Sequence, residues 1–244
     1  RKLMIVDRPT VAFLKGHGEL DDKYVADIAR ELSQYYKLEK FNTKEFKADT
    51  ATGEISLQNQ FMRLNTFDAM IIAKPTKAFN DLDKLLIDQF VMRGGKTLWF
   101  VDAVAADLDS LSKKQSFLAY PIIDQIGITD LLFKYGVSVN SNLIQDKVSA
   151  GVHDTREINR WIYFPLLMPQ VKHPIAKDLN AIKLEFASSI DTIITPGIKK
   201  TLLLQTSPYS KVVTTPHLVN IGTLYQQHRE QDFKQQFLPM GVLL

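Results

Sequence analysis

The sequence of 244 residues contains no cysteine. Disulfide bonds, thiolate metal sites and a cysteine nucleophile are therefore excluded. The compartment stays open, because an extracytoplasmic bacterial domain can lack cysteine as readily as a cytosolic one. The sequence has no apolar run of the roughly 18 residues that a membrane-spanning helix needs, and no recognisable signal peptide.

The chain also lacks an excess of charge of either sign. It has 30 basic and 27 acidic side chains, for a net charge of +3. The only adjacent lysines that stand out, Lys113-Lys114 and Lys199-Lys200, are isolated pairs typical of a solvated surface. Since nucleic-acid binding requires a basic stripe, we expect no nucleic-acid partner.

Both termini lack the features of a complete chain. Arg1 is not an initiator methionine, and Met240–Leu244 ends inside an apolar run that is typical of a strand. We therefore expect this sequence to be the soluble part of a longer protein. With 45% hydrophobic residues it is long enough to bury a substantial core.

Short apolar runs alternate with amphipathic segments through the first hundred residues. The runs expected to form strands are Thr10–Leu14, Leu38–Asn42, Ala69–Ala73 and Leu98–Val101. Apolar strands that alternate with helices predict a parallel sheet covered on both faces. The sequence therefore predicts one α/β domain over 1–244, a three-layer fold with a mostly parallel sheet. Its core covers about 8–148, and a β-rich C-terminal portion follows over about 149–244.

The residues that follow these strands are the candidate site. In open α/β sheets, ligands bind outside the carboxyl ends of the strands. The sequence places there Gly16, His17, Gly18, Glu19, Lys74, Thr76 and Asp102. Gly16–Glu19 can be a ligand-binding loop or a turn with a hydrogen-bonded histidine, and Asp102 a nucleophile, a metal ligand or a helix cap.

No sequence motif specifies a reaction. The glycine loop lacks the third glycine of a dinucleotide fingerprint, and the chain has no Gly-x-Ser-x-Gly elbow. Its five histidines are scattered, so we expect no metal and no cofactor. Asp146, His153 and Asp154 lie in a polar stretch that is typical of solvated surface. Trp161, Tyr163 and Phe164 fit a core strand, or else a sugar-stacking platform.

Several motifs together resemble the gliding-motility auxiliary proteins of Bacteroidetes ABC transporters. They are Thr10–Glu19, Lys74–Lys77 with Phe79, Asp88–Met92, Gly94–Asp102, Tyr135–Val137, Asp146, His173–Ile175 and Leu202–Ser207. The resemblance covers nearly the whole chain. It implies a flavodoxin-like or class I amidotransferase-like domain that has lost its nucleophile, in agreement with the missing cysteine.

The resemblance also implies a function. We expect a periplasmic protein at the inner membrane, tethered by segments outside this sequence, that works with an ABC permease and ATPase in gliding or export. The leading hypothesis is a non-enzymatic accessory or substrate-binding-like component. The alternatives are a hydrolase that uses a carboxylate and histidine pair, for which His17, Glu19 and Asp102 must converge, and a purely structural scaffold.

Overall fold

The chain folds into two compact units. Its computed structural model describes residues 7–45, 56–106, 108, 111, 114–153, 158–169 and 173–244. The first unit runs to Val101 and also takes in Gln125–Ile128, and the second contains Asp102–Asp124 and continues from Thr129. The single domain expected from the sequence stays a prediction.

The first unit is built on a four-stranded parallel sheet. Its strands are β1 (Thr10–Lys15), β2 (Lys37–Asn42), β3 (Ala69–Ala73) and β4 (Lys96–Phe100), in the order β2-β1-β3-β4. Its helices are α1 (Asp22–Leu32), α2 (Leu57–Leu64) and α3 (Asp81–Met92). All four strands predicted here are present, and α1 and α3 lie in amphipathic segments between them. The polar residues 43–57 predict a loop, which falls partly outside the described residues.

The central strands of this sheet are apolar because both of their faces are covered. Met70–Ala73 are all buried, and Val11–Leu14 likewise. One face packs against the apolar side of α1 through Val25, Ala29 and Leu32. Burial of these side chains, at roughly 25 cal/mol per Å² of apolar surface, is the main stabilising term of the unit.

The second unit consists mostly of short antiparallel strands. They are β5 (Val104–Ala105), β6 (Ser116–Pro121), β7 (Val137–Val139), β8 (Asn142–Asp146), β9 (Ser149–His153), β10 (Ile158–Leu167), β11 (Ile182–Lys183), β12 (Ile190–Thr192), β13 (Thr201–Gln205), β14 (Ser210–Thr214), β15 (His217–Asn220) and β16 (Pro239–Leu243). They pair as β15-β6-β5, β11-β10-β9, β12-β7, β13-β16 and β14-β8. Among its helices are α4 (Ile123–Ile126), which contains the unit boundary, α5 (Thr129–Lys134) and the 3-10 turns Ile221–Tyr225 and Glu230–Asp232.

An aromatic cluster forms the core around β10. The Phe186 ring lies edge-on to the rings of Trp161 and Phe164, each with its centroid 5.4 Å away. The Trp161 indole N–H donates to Thr223 Oγ1 at 2.9 Å. Trp161, Tyr163 and Phe164 are all buried, so the core-strand interpretation is confirmed and the sugar-stacking platform is wrong.

The predicted fold class is wrong. Among the described strands only β1–β4 pair in parallel, and every other pairing is antiparallel. The chain is therefore not a three-layer, mostly parallel flavodoxin-like or amidotransferase-like fold. The apolar runs beyond residue 102 gave no sign of this, because an antiparallel strand buried on both faces has the same composition as a parallel one.

Within the described residues, no helix combines the length and the hydropathy needed to cross a bilayer.

Candidate functional site

The turn after β1 puts His17 inside the first unit. Gly16 and Gly18 have φ angles of +117° and +70°, which residues with a side chain rarely adopt. A Cβ on Gly18 would also lie 2.3 Å from Thr76 Oγ1. Two glycines therefore let the chain reverse around His17 and direct its imidazole inward, where it is fully buried.

Two buried carboxylates face the His17 ring, one at each nitrogen. Nδ1 lies 3.3 Å from Glu19 Oε1, and Nε2 lies 3.0 Å from Asp83 Oδ2. The second contact is electrostatic, without the alignment of a hydrogen bond. Phe79 stacks on the ring at 3.7 Å between centroids, with 5° between the planes. We call these four side chains the His17 cluster.

The cluster keeps both acids ionised. Burial alone would raise the pKa of Glu19, but hydrogen bonds from the His17 ring and backbone outweigh it and leave that pKa below its usual range. Burial alone would also raise the pKa of Asp83, but the nearby His17 ring and the Asn80 N–H, which donates to Asp83 Oδ2 at 3.1 Å, hold that pKa below its usual range. An ionised carboxylate only accepts hydrogen bonds, so His17 Nδ1 is the donor in the contact with Glu19 Oε1.

Backbone hydrogen bonds join the loop after β1 to the loop after β3. The His17 carbonyl accepts from the N–H groups of Thr76 and Lys77, both at 2.8 Å. Thr76 Oγ1 donates to the Gly18 carbonyl at 3.0 Å. Lys74, with φ of 55°, donates its N–H to the Phe100 carbonyl at 2.8 Å. Of the predicted residues, His17 and Gly18 thus meet Thr76, through backbone groups and the Thr76 hydroxyl.

Asp102, which the hydrolase alternative groups with His17 and Glu19, is the first residue of the second unit. The acid that completes the His17 cluster is Asp83, which the sequence reasoning missed. Asp83 forms a capping box with Asn80 and also lies on the buried side of α3 with Leu86, Ile87 and Phe90. In the sequence, the signal for a buried acid was the position of Asp83 one helical turn before the apolar stripe of α3.

The cluster has no free group for chemistry. Each ring nitrogen faces a carboxylate, and the His17 side chain has 0% exposure. A general base must present a lone pair within hydrogen-bond reach of its substrate, and this ring presents none. Within the described residues, no group of three or more His, Asp or Glu side chains is arranged to hold a metal ion.

A second buried acid lies in the other unit. Asp146 has 0% exposure and accepts hydrogen bonds from Val148 N–H at 2.7 Å, Ser207 N–H at 2.8 Å, Ser207 Oγ at 2.6 Å and Ser210 Oγ at 3.0 Å. The expectation of a solvated Asp146 is therefore wrong, and Asp154 lies outside the described residues. Because its acceptor capacity is used within the unit, Asp146 is a structural acid.

Comparison with known proteins identifies the family. A family model described as "ABC-type uncharacterized transport system" matches residues 8–244. The chain belongs to this family of ABC transporter auxiliary proteins. No curated protein sequence matches it.

A solved structure titled "mmIFT52 N-terminal domain" resembles the fold. Its TM-score is 0.54 at 15% sequence identity, with 85% of this chain and 77% of that chain covered. At this identity the likeness concerns the fold alone. It supports the same correction as the strand pairing, a β-rich fold in place of the predicted three-layer parallel one.

Proposed function

We propose that this chain is a non-enzymatic accessory component of an ABC-type transport system, which acts by binding the permease and ATPase or a transported ligand. The observation that carries the proposal is the family match over residues 8–244. The family supports association with an ABC transport system, and the mode of action is our inference.

The His17 cluster supports the non-enzymatic part of the proposal. The hydrolase alternative required His17, Glu19 and Asp102 to converge on a reactive group. His17 and Glu19 do meet, at 3.3 Å. Asp83 takes the remaining ring nitrogen, so this pair has the features of a buried ion cluster and not of an acid and base open to substrate.

The placement of the protein rests on the sequence resemblance. We propose that this part of the protein lies on the extracytoplasmic side of the inner membrane and is tethered by segments outside the sequence. A role in gliding and a Bacteroidetes source rest on the same resemblance, and export in a non-gliding bacterium fits the family equally well.

A pull-down tests the transporter assignment. The tagged full-length protein is extracted from its native membrane in mild detergent, with and without prior cross-linking, and the co-purifying proteins are identified by mass spectrometry. We expect an ABC permease and ATPase, absent from a parallel purification of an unrelated tagged membrane protein. Repeated recovery without either subunit, even after cross-linking, would overturn the proposal.

The absence of cysteine makes the location directly measurable. Ile194 is 98% exposed, so Ile194→Cys introduces an accessible thiol into a stretch of 244 residues that contains no other. We expect a membrane-impermeant maleimide, added to cells with a permeabilised outer membrane, to label this variant as completely as it does after lysis. Labelling only after lysis would place the chain in the cytoplasm and contradict the proposed location. The wild-type protein, treated in the same way, gives the background labelling.

A further inference from the structure

The edge strand β4 has exposed apolar side chains. In the described part of the chain, β4 pairs only with β3. Phe13 in β1, Ile71 in β3 and Leu98 in β4 lie side by side across the sheet. Phe13 and Ile71 are buried, with 8% and 5% exposure, whereas Leu98 is 47% exposed. Phe100, two residues on, is 49% exposed. The apolar sheet face thus reaches the free edge uncovered.

The opposite edge of the same sheet is protected by charge. In β2 the side chains of Lys37, Glu39 and Lys40 are exposed. Lys37 pairs with Glu39 at 2.6 Å. Charged side chains on an edge strand discourage pairing with another chain, whereas a flat apolar edge favours it. β4 has no proline and no bulge, and Lys96 is its only charged residue.

The hydrogen bonds to β3 show which backbone groups of β4 point outward. Lys96 N–H donates to the Asp68 carbonyl, and the Phe100 carbonyl accepts from Lys74 N–H. Because backbone groups alternate direction along a strand, residues 96, 98 and 100 face β3. Thr97 and Trp99 therefore direct their N–H and C=O groups to the free edge.

We propose that the β4 edge is a homodimer interface, in which β4 pairs antiparallel with β4 of a second copy about a two-fold axis at Leu98. In this register Thr97 lies opposite Trp99 of the second copy and exchanges both backbone hydrogen bonds with it. The two-fold axis repeats this pairing, so the outward N–H and C=O groups of Thr97 and Trp99 form hydrogen bonds in both copies. The two sheets become one continuous eight-stranded sheet.

Side chains favour a second copy in this same register. Lys96 of one chain lies opposite Phe100 of the other, where its alkyl stem and ammonium group contact an aromatic ring and no like charge. The two Leu98 side chains meet at the axis as a non-hydrogen-bonded pair, the closest kind of pair in an antiparallel ladder. The edge is thus complementary to itself, as a two-fold interface requires. The inference is independent of the proposed transport function.

Sedimentation velocity of the full chain across a wide concentration range tests the dimer. We expect wild type to dimerise reversibly, and Leu98→Lys, which sets two ammonium groups face to face, to raise the dimer Kd by about tenfold or more. Leu85→Lys makes the same change at a side chain on α3 that is 44% exposed, and should leave the Kd unchanged. A monomeric wild type, or a dimer equally tight in Leu98→Lys, would overturn the proposal.

Disulfide trapping in this cysteine-free chain tests the register. In the proposed dimer the Cα atoms of the two Leu98 residues are about 4.5 Å apart, within disulfide reach. We expect Leu98→Cys to form a covalent dimer under mild oxidation. Lys96→Cys is the matched control, because its two copies are about 14 Å apart along the strands and should not cross-link. Equal cross-linking of both variants would exclude this register, and circular dichroism confirms that each variant is folded.

Discussion

At the scale of single residues, the His17 imidazole lies between two buried carboxylates. Removing the group that faces a buried charge is costly because the charge stays desolvated. The carboxylates of Glu19 and Asp83 have 2% and 3% exposure, so water cannot replace the imidazole. The turn after β1 is therefore fixed by the electrostatic contacts of the His17 cluster as well as by the backbone conformations of Gly16 and Gly18.

We expect His17→Gln to lower the free energy of unfolding by about 3 to 5 kcal/mol, since the two buried acids lose the ring whose nitrogens face them both. Urea unfolding followed by circular dichroism measures the loss. His173→Gln is the control, because the His173 ring accepts a hydrogen bond from the Ile175 N–H at 3.3 Å at an exposed position. If both variants lose the same small amount, His17 does not compensate the carboxylates.

The two acids also determine how stability depends on pH. The pKa values of Glu19 and Asp83 are lower in the folded chain than their ordinary values of 4.5 and 3.8. The unfolded chain therefore binds protons first as the pH falls, and the stabilisation that is complete above about pH 5 is lost through the acid range. We expect the stability difference between wild type and Glu19→Gln to shrink from pH 6 to pH 3, as measured by urea unfolding at each pH. A constant difference would exclude this linkage.

At the scale of secondary-structure elements, Asp146 connects the end of β8 to the turn between β13 and β14. Its oxygens accept from Ser207 and Ser210, residues that lie 61 and 64 positions further along the chain. A buried acceptor with several donors holds these segments in one register. Without the carboxylate, those donors are left buried and unsatisfied.

We expect Asp146→Asn to destabilise the chain by about 1 to 3 kcal/mol, because an amide NH₂ turns toward groups that themselves donate. Hydrogen exchange should show the loss of protection in β8 and β14. Urea unfolding measures the size of the decrease in stability. Asp191→Asn is the control, since the Asp191 carboxylate accepts from Asn140 at an exposed position. Equal protection of β14 in both variants would contradict the structural role of Asp146.

The elements of the first unit were predictable, whereas the pairing of the later strands was not. Ala69–Ala73 and the α3 stripe are strong local patterns, and the structure confirms both. For Trp161–Phe164 the sequence also predicted a strand correctly, but its partners β9 and β11 are antiparallel. Partner choice depends on long-range packing against residues such as Phe186, which local periodicity does not record.

The candidate site shows the same division. The two glycines predicted either a ligand-binding loop or a turn with a hydrogen-bonded histidine, and the structure shows a turn in which His17 contacts Glu19. Asp102 was chosen because it follows a strand, yet the chain enters the second unit at that residue. Asp83 was missed because a helix-capping acid is usually a surface residue, although its place one turn before the apolar stripe puts it on the buried side of α3.

At the scale of the whole molecule, the chain passes between the two units more than once. Gln125–Ile128 belongs to the first unit although the residues on both sides belong to the second. The Ile126 carbonyl accepts from the Phe79 N–H at 2.9 Å, next to the His17 cluster. The Ile126 side chain has 0% exposure. A segment distant in sequence thus completes the first unit.

We therefore expect Ile126→Ala to destabilise the first unit by about 2 to 5 kcal/mol through the cavity that it leaves. Hydrogen exchange should report the loss at the amides of β1 and β3. Ile194→Ala removes the same atoms from a side chain that is 98% exposed and should change nothing. Unchanged protection of β1 in Ile126→Ala would show that this segment does not support the first unit.

The sealed His17 cluster has a practical consequence for genetics. A mutational screen scored by transport phenotype would identify His17, Glu19 and Asp83 together. Even conservative replacements at these positions would not be tolerated, which is also the behaviour of a catalytic triad. Their effect would come through the amount of folded protein, because a loss of several kcal/mol changes cellular abundance. Measuring abundance beside phenotype for each variant would separate these three residues from those that contact the transporter.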